Sequence, residues 1–440
     1  MTPTPEQMPR RQFFKGMTRR FPRRWLIFGY WRRTMIFILG AGLIGIASAG
    51  FAVAADWAQA IFQGLRHISP AAAFLLSCLG FVIASVSTAR LFPNARGSGI
   101  PQVIAARRYT DLATRHGLIG AGVTGWKIAL TIVGLLCGAS IGREGPTVQV
   151  GACIMFLLGH YAGLRRPQGL VLAGAAAGIA AAFNTPLAGI MFAIEEMAKS
   201  YEKRVSGLII AAVVVAGAVS VTLLGNYKYF GSTSIAVGFM PAMIYAVICG
   251  IFCGLAGSLF SFLLLGIGRL YRRLTHLKWL PYAFPAACGL VVAITGAITH
   301  GYANGTGYEQ TKLALESGQT LPFWYGLLKL ASTVASSASG LPGGLFAPSL
   351  SVGAGLGALI STVPLGLHLG PDELRTVMLL AMAAYFAAVV QSPLTAFVIV
   401  TEMTVSNALL VPLLTATFIG AGVSGALTRE PLYHALSKQF

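Results

Sequence analysis

Gly142-Arg143-Glu144-Gly145-Pro146 is a charged pentapeptide set between two long uncharged runs, 128–141 and 145–164. An ionisable residue at membrane depth is costly to bury and is by default a functional candidate. The flanking glycines and the proline suit a chain that leaves one helix and begins another, because Pro fits the first helical turn and Gly permits unusual backbone angles. A helix starting there aims its free N–H groups and positive dipole end at whatever lies beside Glu144. That describes an anion site with a carboxylate in its mouth. A surface loop carrying a solvated charge pair is the commoner fate of such a pentapeptide, and a second copy of the pattern decides against it.

The copy lies in the other half of the chain. At an offset of 202, Gly138, Gly142, Pro146, Val150, Gly151 and Ala152 fall on Gly340, Gly344, Pro348, Val352, Gly353 and Ala354. Further along, at an offset of 207, Ala180, Ala181, Pro186, Leu187 and Glu195 fall on Ala387, Ala388, Pro393, Leu394 and Glu402. Gly and Ala matches are cheap in this composition, but two colinear blocks carrying Pro and Glu are not. The chain therefore divides into a basic segment 1–33, a first repeat 34–225, a second repeat 235–428 and a short segment 429–440. Membrane folds built from repeats often place their substrate at the repeat interface, between half-helices. Glu144 then corresponds to Phe346, so one half offers a carboxylate and the other an aromatic ring.

Composition fixes the class. The 440 residues are 55% hydrophobic and only 10% charged, with mean hydropathy +0.73. Soluble domains carry about a quarter charged residues, so this is an all-α polytopic membrane protein. Several uncharged stretches, among them 230–268, 330–370 and 376–401, exceed the roughly 20 residues of one crossing and are expected to hold two segments or a broken helix. The net charge of +19 is unevenly spread: nine basic residues lie between Arg10 and Arg33, and Arg269, Arg272, Arg273 and Lys278 form a second cluster. Basic clusters beside apolar spans mark cytoplasmic segments rather than nucleic-acid binding. The N-terminal segment, with Phe13, Phe14, Phe21 and Trp25 among its bases, reads as an amphipathic helix held on anionic lipid, with the N-terminus cytoplasmic. Cys249 and Cys253 sit one helical turn apart without a His or acidic neighbour, and His160, His300 and His368 show no ligand spacing, so no metal is expected. No cofactor is expected either. No Ser–His, Asp–Asp or His–Glu constellation recurs at a spacing that would suit an intramembrane hydrolase, which puts an enzyme well below a transporter or channel.

Three stretches, Gly97-Ser98-Gly99-Ile100-Pro101, Gly142-Arg143-Glu144-Gly145-Pro146 and Gly343-Gly344-Leu345-Phe346-Ala347-Pro348, with Pro431-Leu432-Tyr433 near the end, resemble the signature motifs of the CLC family of chloride channels and chloride/proton antiporters. The likeness is colinear and covers nearly the whole chain. It implies a CLC-type fold of two inverted structural repeats, about eighteen tilted and partial helices, and a homodimer with one ion pathway per subunit. By position, Ser98 and Tyr433 would supply hydroxyl donors to the anion. The backbones of Leu345 and Phe346 would complete the central site, with Gly99, Ile100, Arg143 and Gly145 around it. Glu144 would be the gating glutamate that competes with the anion, and Glu196 the inner proton acceptor. The implied activity is exchange of chloride and similar monovalent anions for protons, with a passive chloride channel on the same fold as the alternative. In the family, Ser at position 98 goes with chloride.

Two departures stand out. Gln102 and Ile104 replace a carboxylate that many relatives pair with a buried lysine, here Lys127, which must be neutral or paired elsewhere. No regulatory nucleotide-binding domains follow Phe440, which resembles prokaryotic members and implies an inner-membrane location. Other readings attach to single residues. Ser98 could cap the following helix, Tyr433 could sit in an interfacial belt, Glu195 and Glu196 could be the solvated end of a helix, and Glu402 a helix-end or dimer-interface carboxylate. An apolar face of Ile190, Ile194, Leu409, Leu410 and Leu413 is the expected dimer surface.

Overall fold

A computed structural model describes residues 28–163, 167–198, 206–225, 230, 237–317, 320–362, 370–404, 409–428 and 430–440. The expected N-terminal amphipathic helix and most of the junction between the halves lie outside them. Eighteen α-helices form among the described residues. In the first half these are α1 Phe28–Ile68, α2 Pro70–Leu91, α3 Ile100–Arg108, α4 Leu112–Ile119, α5 Ala121–Leu136, α6 Glu144–Tyr161, α7 Pro167–Phe183, α8 Pro186–Phe192 and α9 Ser206–Leu224. In the second they are α10 Phe239–Arg273, α11 Leu280–Ile298, α12 Tyr308–Glu316, α13 Tyr325–Ala338, α14 Phe346–Thr362, α15 Pro371–Val390, α16 Pro393–Thr404 and α17 Leu410–Leu427, followed by α18 Leu432–Ser437. Eight helical spans are long and apolar enough to cross a membrane.

Expected breaks appear at the prolines. The stretch 376–401 divides at Gln391 and Ser392 between α15 and α16, and 330–370 holds the end of α13 and all of α14. From Phe239 on, the stretch 230–268 does not divide: α10 runs unbroken for 35 residues. At 1.5 Å per residue that is about 52 Å, against a hydrocarbon core of about 30 Å, so it tilts or projects beyond the bilayer. No Pro or Gly-Pro pair interrupts 242–273, which is why length alone misled there.

Equivalent residues of the two repeats adopt equivalent roles. Gly138 and Gly340 both take positive φ (76° and 88°), and Asn184 and Gln391, at offset 207, share φ of 57° and 59°. Glu195 accepts from the N–H groups of Leu394 and Thr395 at 3.1 and 2.6 Å. Glu402 accepts from those of Leu187 and Ala188 at 3.1 and 2.8 Å. Each carboxylate thus caps the first turn of the other repeat's helix, where four N–H groups lack helical partners. Such an exchange of contacts is what a two-fold relation between the halves requires, and it makes Glu195 and Glu402 helix-end carboxylates that act across the repeats.

Helix α15 is the central post: every residue from Thr376 to Val390 is buried. Small residues bring neighbours to backbone contact, as where Gly151 of α6 meets Gly174 of α7. Two residues of the expected dimer face point inward instead. Leu409 and Leu413 are 1% and 0% exposed inside the subunit, whereas Leu187, Leu410, Val411 and Phe418 are exposed. In uniformly apolar helices, periodicity gives no sign of which side faces inward.

Candidate anion and proton site

Main-chain hydrogen bonds stitch the three motifs together. Gly142 N–H donates to Gly344 O at 2.7 Å, and Gly344 N–H returns the bond to Gly142 O at 2.6 Å. This antiparallel bridge joins equivalent residues of the two repeats. Gly97 N–H donates to Leu341 O, and Gly343 N–H to Gly97 O, both at 3.2 Å. Gly145 packs so tightly on Ser98 and Gly344 that any side chain there would overlap the Ser98 hydroxyl. Helices α3, α6 and α14 therefore begin at one place, at Ile100, Glu144 and Phe346. Their N-termini concentrate N–H donors and positive dipole ends there.

Ser98 does not cap α3. Gly99, at φ 103°, occupies the cap position without a side-chain bond. The Ser98 hydroxyl and the Tyr433 hydroxyl are both buried without a hydrogen-bond partner among the described residues. A buried, unpaired polar group costs about 1–3 kcal/mol, so two in one place point to a ligand. They stand side by side, with Tyr433 in electrostatic reach of Glu196 and Glu144. The Phe346 ring holds this corner rigid: its centroid lies 6.0 Å from that of Tyr433, 4.8 Å from Phe386, 5.9 Å from Phe183 and 6.1 Å from Phe192. Tyr433 is thus a buried wall of the site, not an interfacial belt residue.

Glu144 is fully buried. Its carboxylate folds back over Gly142 beside Pro348, so it lies at the start of its own helix and against the second repeat's motif. Arg143 turns the other way. Its Nη1 bonds both carboxylate oxygens of Asp56 at 3.1 Å, and the Asp56 side chain is 66% exposed. The guanidinium is therefore held at an exposed acidic end, where Glu309, Asp56 and Glu316 lie in electrostatic reach of Tyr308. Arg143 can serve the anion only through its main chain and its field. Glu196 lies elsewhere, on a π-helical stretch, Ala193–Ala198. Its Oε2 accepts from Ser392 Oγ at 2.8 Å.

A cavity of about 350 Å³ leads to Ser98, walled by Arg96, Gly97, Gln102, Tyr271, Arg272 and Leu345. Arg96, Arg269, Arg272 and Lys438 line the adjoining recess. Burial first, then the like charge of Arg272, lowers the Arg96 pKa, but a guanidinium stays charged in proteins. The approach to Ser98 is thus basic, which raises the local concentration of anions.

The partner of Lys127 is a carbonyl. Its Nζ donates to Gly97 O at 3.0 Å, while Gln102 Nε2 is occupied by Asn94 O and Arg96 O at 2.9 and 2.6 Å. Two donors thus converge on Gly97 O, drawing that dipole away from Ser98. Lys329, 202 positions on, repeats the device on a second glycine turn. Its Nζ donates to Ala303 O, Asn304 O and Gly305 O at 3.0, 3.3 and 2.7 Å. Gly305-Thr306-Gly307 is therefore the counterpart of Gly97-Ser98-Gly99, at offset 208, and sequence reasoning missed it. Here the turn is closed: Gln59 Oε1 accepts from Thr306 N–H and Oγ1 at 2.8 and 3.2 Å. The only signal in the sequence was the Gly-x-Gly spacing after a third offset. Asp56, Gln59 and Ser392 gave none.

Among the described residues no group of His, Cys, Asp and Glu is arranged to hold a metal ion.

Comparison with known proteins bears on the family and the fold. Residues 79–425 match the family model described as voltage gated chloride channel. The H(+)/Cl(-) exchange transporter ClcA of Cronobacter sakazakii is 30% identical over 431 residues, which cover 90% of this chain and 86% of that protein. ClcA of Yersinia pseudotuberculosis serotype IB is 29% identical over 439 residues, 91% of this chain and 87% of that one. Among solved structures, a slow cyanobacterial Cl−/H+ antiporter shares the fold with a TM-score of 0.77 at 24% identity, across 93% of this chain and 97% of that chain. With the family model running from 79 to 425 through all three motifs that meet at Ser98 and Glu144, the chain belongs to the voltage gated chloride channel family, the CLC family.

Proposed function

We propose that the protein is a secondary active transporter that exchanges chloride and similar monovalent anions for protons. The observation that carries this reading is the pair of buried, unpartnered hydroxyls of Ser98 and Tyr433 beside a buried carboxylate at the meeting point of both repeats. The names of the curated bacterial relatives support it.

The anion sheds its water shell for Ser98 Oγ, Tyr433 OH and the N–H groups at the start of α14, at Leu345 and Phe346. Gly99, Ile100 and Gly145 shape the adjoining wall. These are dipoles, not full charges, so they stabilise an anion without trapping it. Glu144, at the same helix ends, competes as a carboxylate and leaves when protonated, so proton and anion occupancy are linked at one point. Glu196 passes the proton to and from the basic side by a route apart from the anion's. No covalent chemistry and no cofactor are required. The basic side, with Arg96, Arg269 and Arg272, faces the cytoplasm, and so does the N-terminal segment. A second copy covers the apolar surface around Leu187, Leu410, Val411 and Phe418, and lipid covers the rest.

The test is simultaneous recording of proton and chloride fluxes from liposomes holding the purified protein. An imposed chloride gradient should drive protons uphill. Glu196→Gln should lose that coupling while chloride still moves. If wild-type protein moves chloride but no protons, a passive channel is the correct reading.

A further inference from the structure

His434 follows Tyr433 directly on α18, and its side chain, 14% exposed, lies beside that of Glu196, 3% exposed. Its Nε2 lies 3.9 Å from Glu196 Oε1. Its Nδ1 lies 3.4 Å from Arg108 Nη2. A guanidinium only donates, so Nδ1 must accept, and the proton of the neutral ring sits on Nε2, aimed at the carboxylate. Glu196 Oε2 accepts from Ser392 Oγ at 2.8 Å, and Oε1 is the oxygen that faces His434.

We infer that His434 is the proton-relay residue between cytoplasmic water and Glu196, with Arg108 as its positioning and gating partner. The inference rests on the proposed exchange reading and adds the group that supplies its proton. In the inward step, a hydronium proton binds Nδ1 as Arg108 withdraws, giving an imidazolium. The Nε2–H bond then breaks as the Oε1–H bond of Glu196 forms, directly after a small rotation or through one water. The ring is left neutral with its proton on Nδ1; loss of that proton to water and uptake of one from water at Nε2 restore the starting tautomer, with Arg108 back on Nδ1. One proton enters and one leaves, so the step balances. Imidazole is suited to this because it alone among unperturbed side chains titrates near neutral pH.

Among the described residues, the surroundings contain few competing charges. Helix α3 presents Arg107 and Arg108; the π-helical stretch presents Glu195 and Glu196. Over 376–390, α15 has no charged residue, only the buried phenol of Tyr385. On α18 and its flanks stand Tyr433 and Lys438, and Lys438 is paired with Glu430. Arg108 opposes protonation of the ring and Glu196 favours it. The relay should therefore respond to cytoplasmic pH: acid displaces Arg108 and loads the ring, and alkali leaves the Arg108-bound tautomer in place.

The test is coupled exchange by the full-length protein in oriented liposomes, with pH on the cytoplasmic side varied from about 5.5 to 7.5 around the titration of imidazole. His434→Gln should slow exchange about tenfold or more at the acidic end, where the ring is loaded, a loss at the low end for a positioned acid–base group. The response to cytoplasmic pH should flatten. The proton-to-chloride ratio should stay at the wild-type value, because the acceptor Glu196 remains. Arg108→Gln should extend fast exchange to higher pH. Added imidazole should partly restore the rate of His434→Gly. A purely structural role is separated by a second background: in Glu144→Gln protein, where chloride flux needs no proton, adding His434→Gln should leave that flux unchanged. A wild-type rate and pH profile in His434→Gln would overturn the inference, and so would equal slowing in the Glu144→Gln background. Absence of proton coupling in the wild type would instead defeat the exchange reading on which the inference stands.

Discussion

The molecule builds the same turn twice and opens only one of them. Gly97-Ser98-Gly99 and Gly305-Thr306-Gly307 each hold a hydroxyl between two glycines, and each has a carbonyl gripped by a buried lysine. At the first, the hydroxyl has no partner. At the second, Gln59 receives both Thr306 donors. The bridge of Gly142 to Gly344 is symmetric, but Glu144 on one side faces the place of Phe346 on the other. Duplication supplied the frame, and a few side chains made the two ends unequal. An exchanger needs that inequality, since two identical ends would offer the anion two sites and the proton none in particular.

The asymmetry of Glu144 and Phe346 should be the easiest to break. Glu144→Gln retains shape but cannot carry a proton or compete as an anion. Proton flux should fall to the leak of empty liposomes while chloride flux continues, both read by paired electrodes. Persistent coupling would mean that the carboxylate difference between the halves has no role. The fold should survive, because the amide is nearly isosteric and one buried charge is removed.

The two hydroxyls come next. Ser98→Ala removes one donor to a charged ligand and should weaken chloride binding about 10- to 100-fold by calorimetry. Thr306→Ala should leave chloride binding unchanged and lower stability by about 1 kcal/mol, the usual cost of a lost turn or cap bond. Equal effects on binding would erase the distinction between the open and the closed turn.

The lysines sharpen it in a different way. Lys329 donates to three carbonyls and Lys127 to one. Lys329→Met should therefore cost about 2 kcal/mol more in thermal or denaturant unfolding than Lys127→Met, since each unpaired buried carbonyl carries about 1 kcal/mol or more. The smallest effect should come from the carboxylates that do obey the symmetry. Glu195→Gln and Glu402→Gln should each cost about 1 kcal/mol, by similar amounts, because each caps the other repeat's helix with two N–H bonds.

Much of this was legible in the chain. The Gly–Pro breaks announce the helix starts at Ile100, Glu144 and Phe346, and Pro and Glu at constant offsets announce the repeat. Those signals are local, and backbone chemistry enforces them. What could not be read depends on distant partners. Asp56 finds Arg143 across 87 positions, Gln59 finds Thr306 across 247, and Ser392 finds Glu196 across 196. The inward turn of Leu409 and Leu413 leaves no trace in a helix that is apolar all round, whereas the unbroken α10 was marked only by the lack of Pro over 242–273. The basic cluster at Arg269–Arg273 was visible as charge, but its place beside the mouth of the Ser98 cavity was not.

The central claim is that one turn binds the anion and its counterpart does not. Crystals grown in bromide, measured at the bromine absorption edge, address it directly. The account predicts an anomalous peak in hydrogen-bonding reach of Ser98 Oγ and Tyr433 OH, at the start of α14, and none beside Thr306. A peak at Thr306 with Gln59 displaced, or no peak at Ser98 in protein that transports chloride, would contradict it.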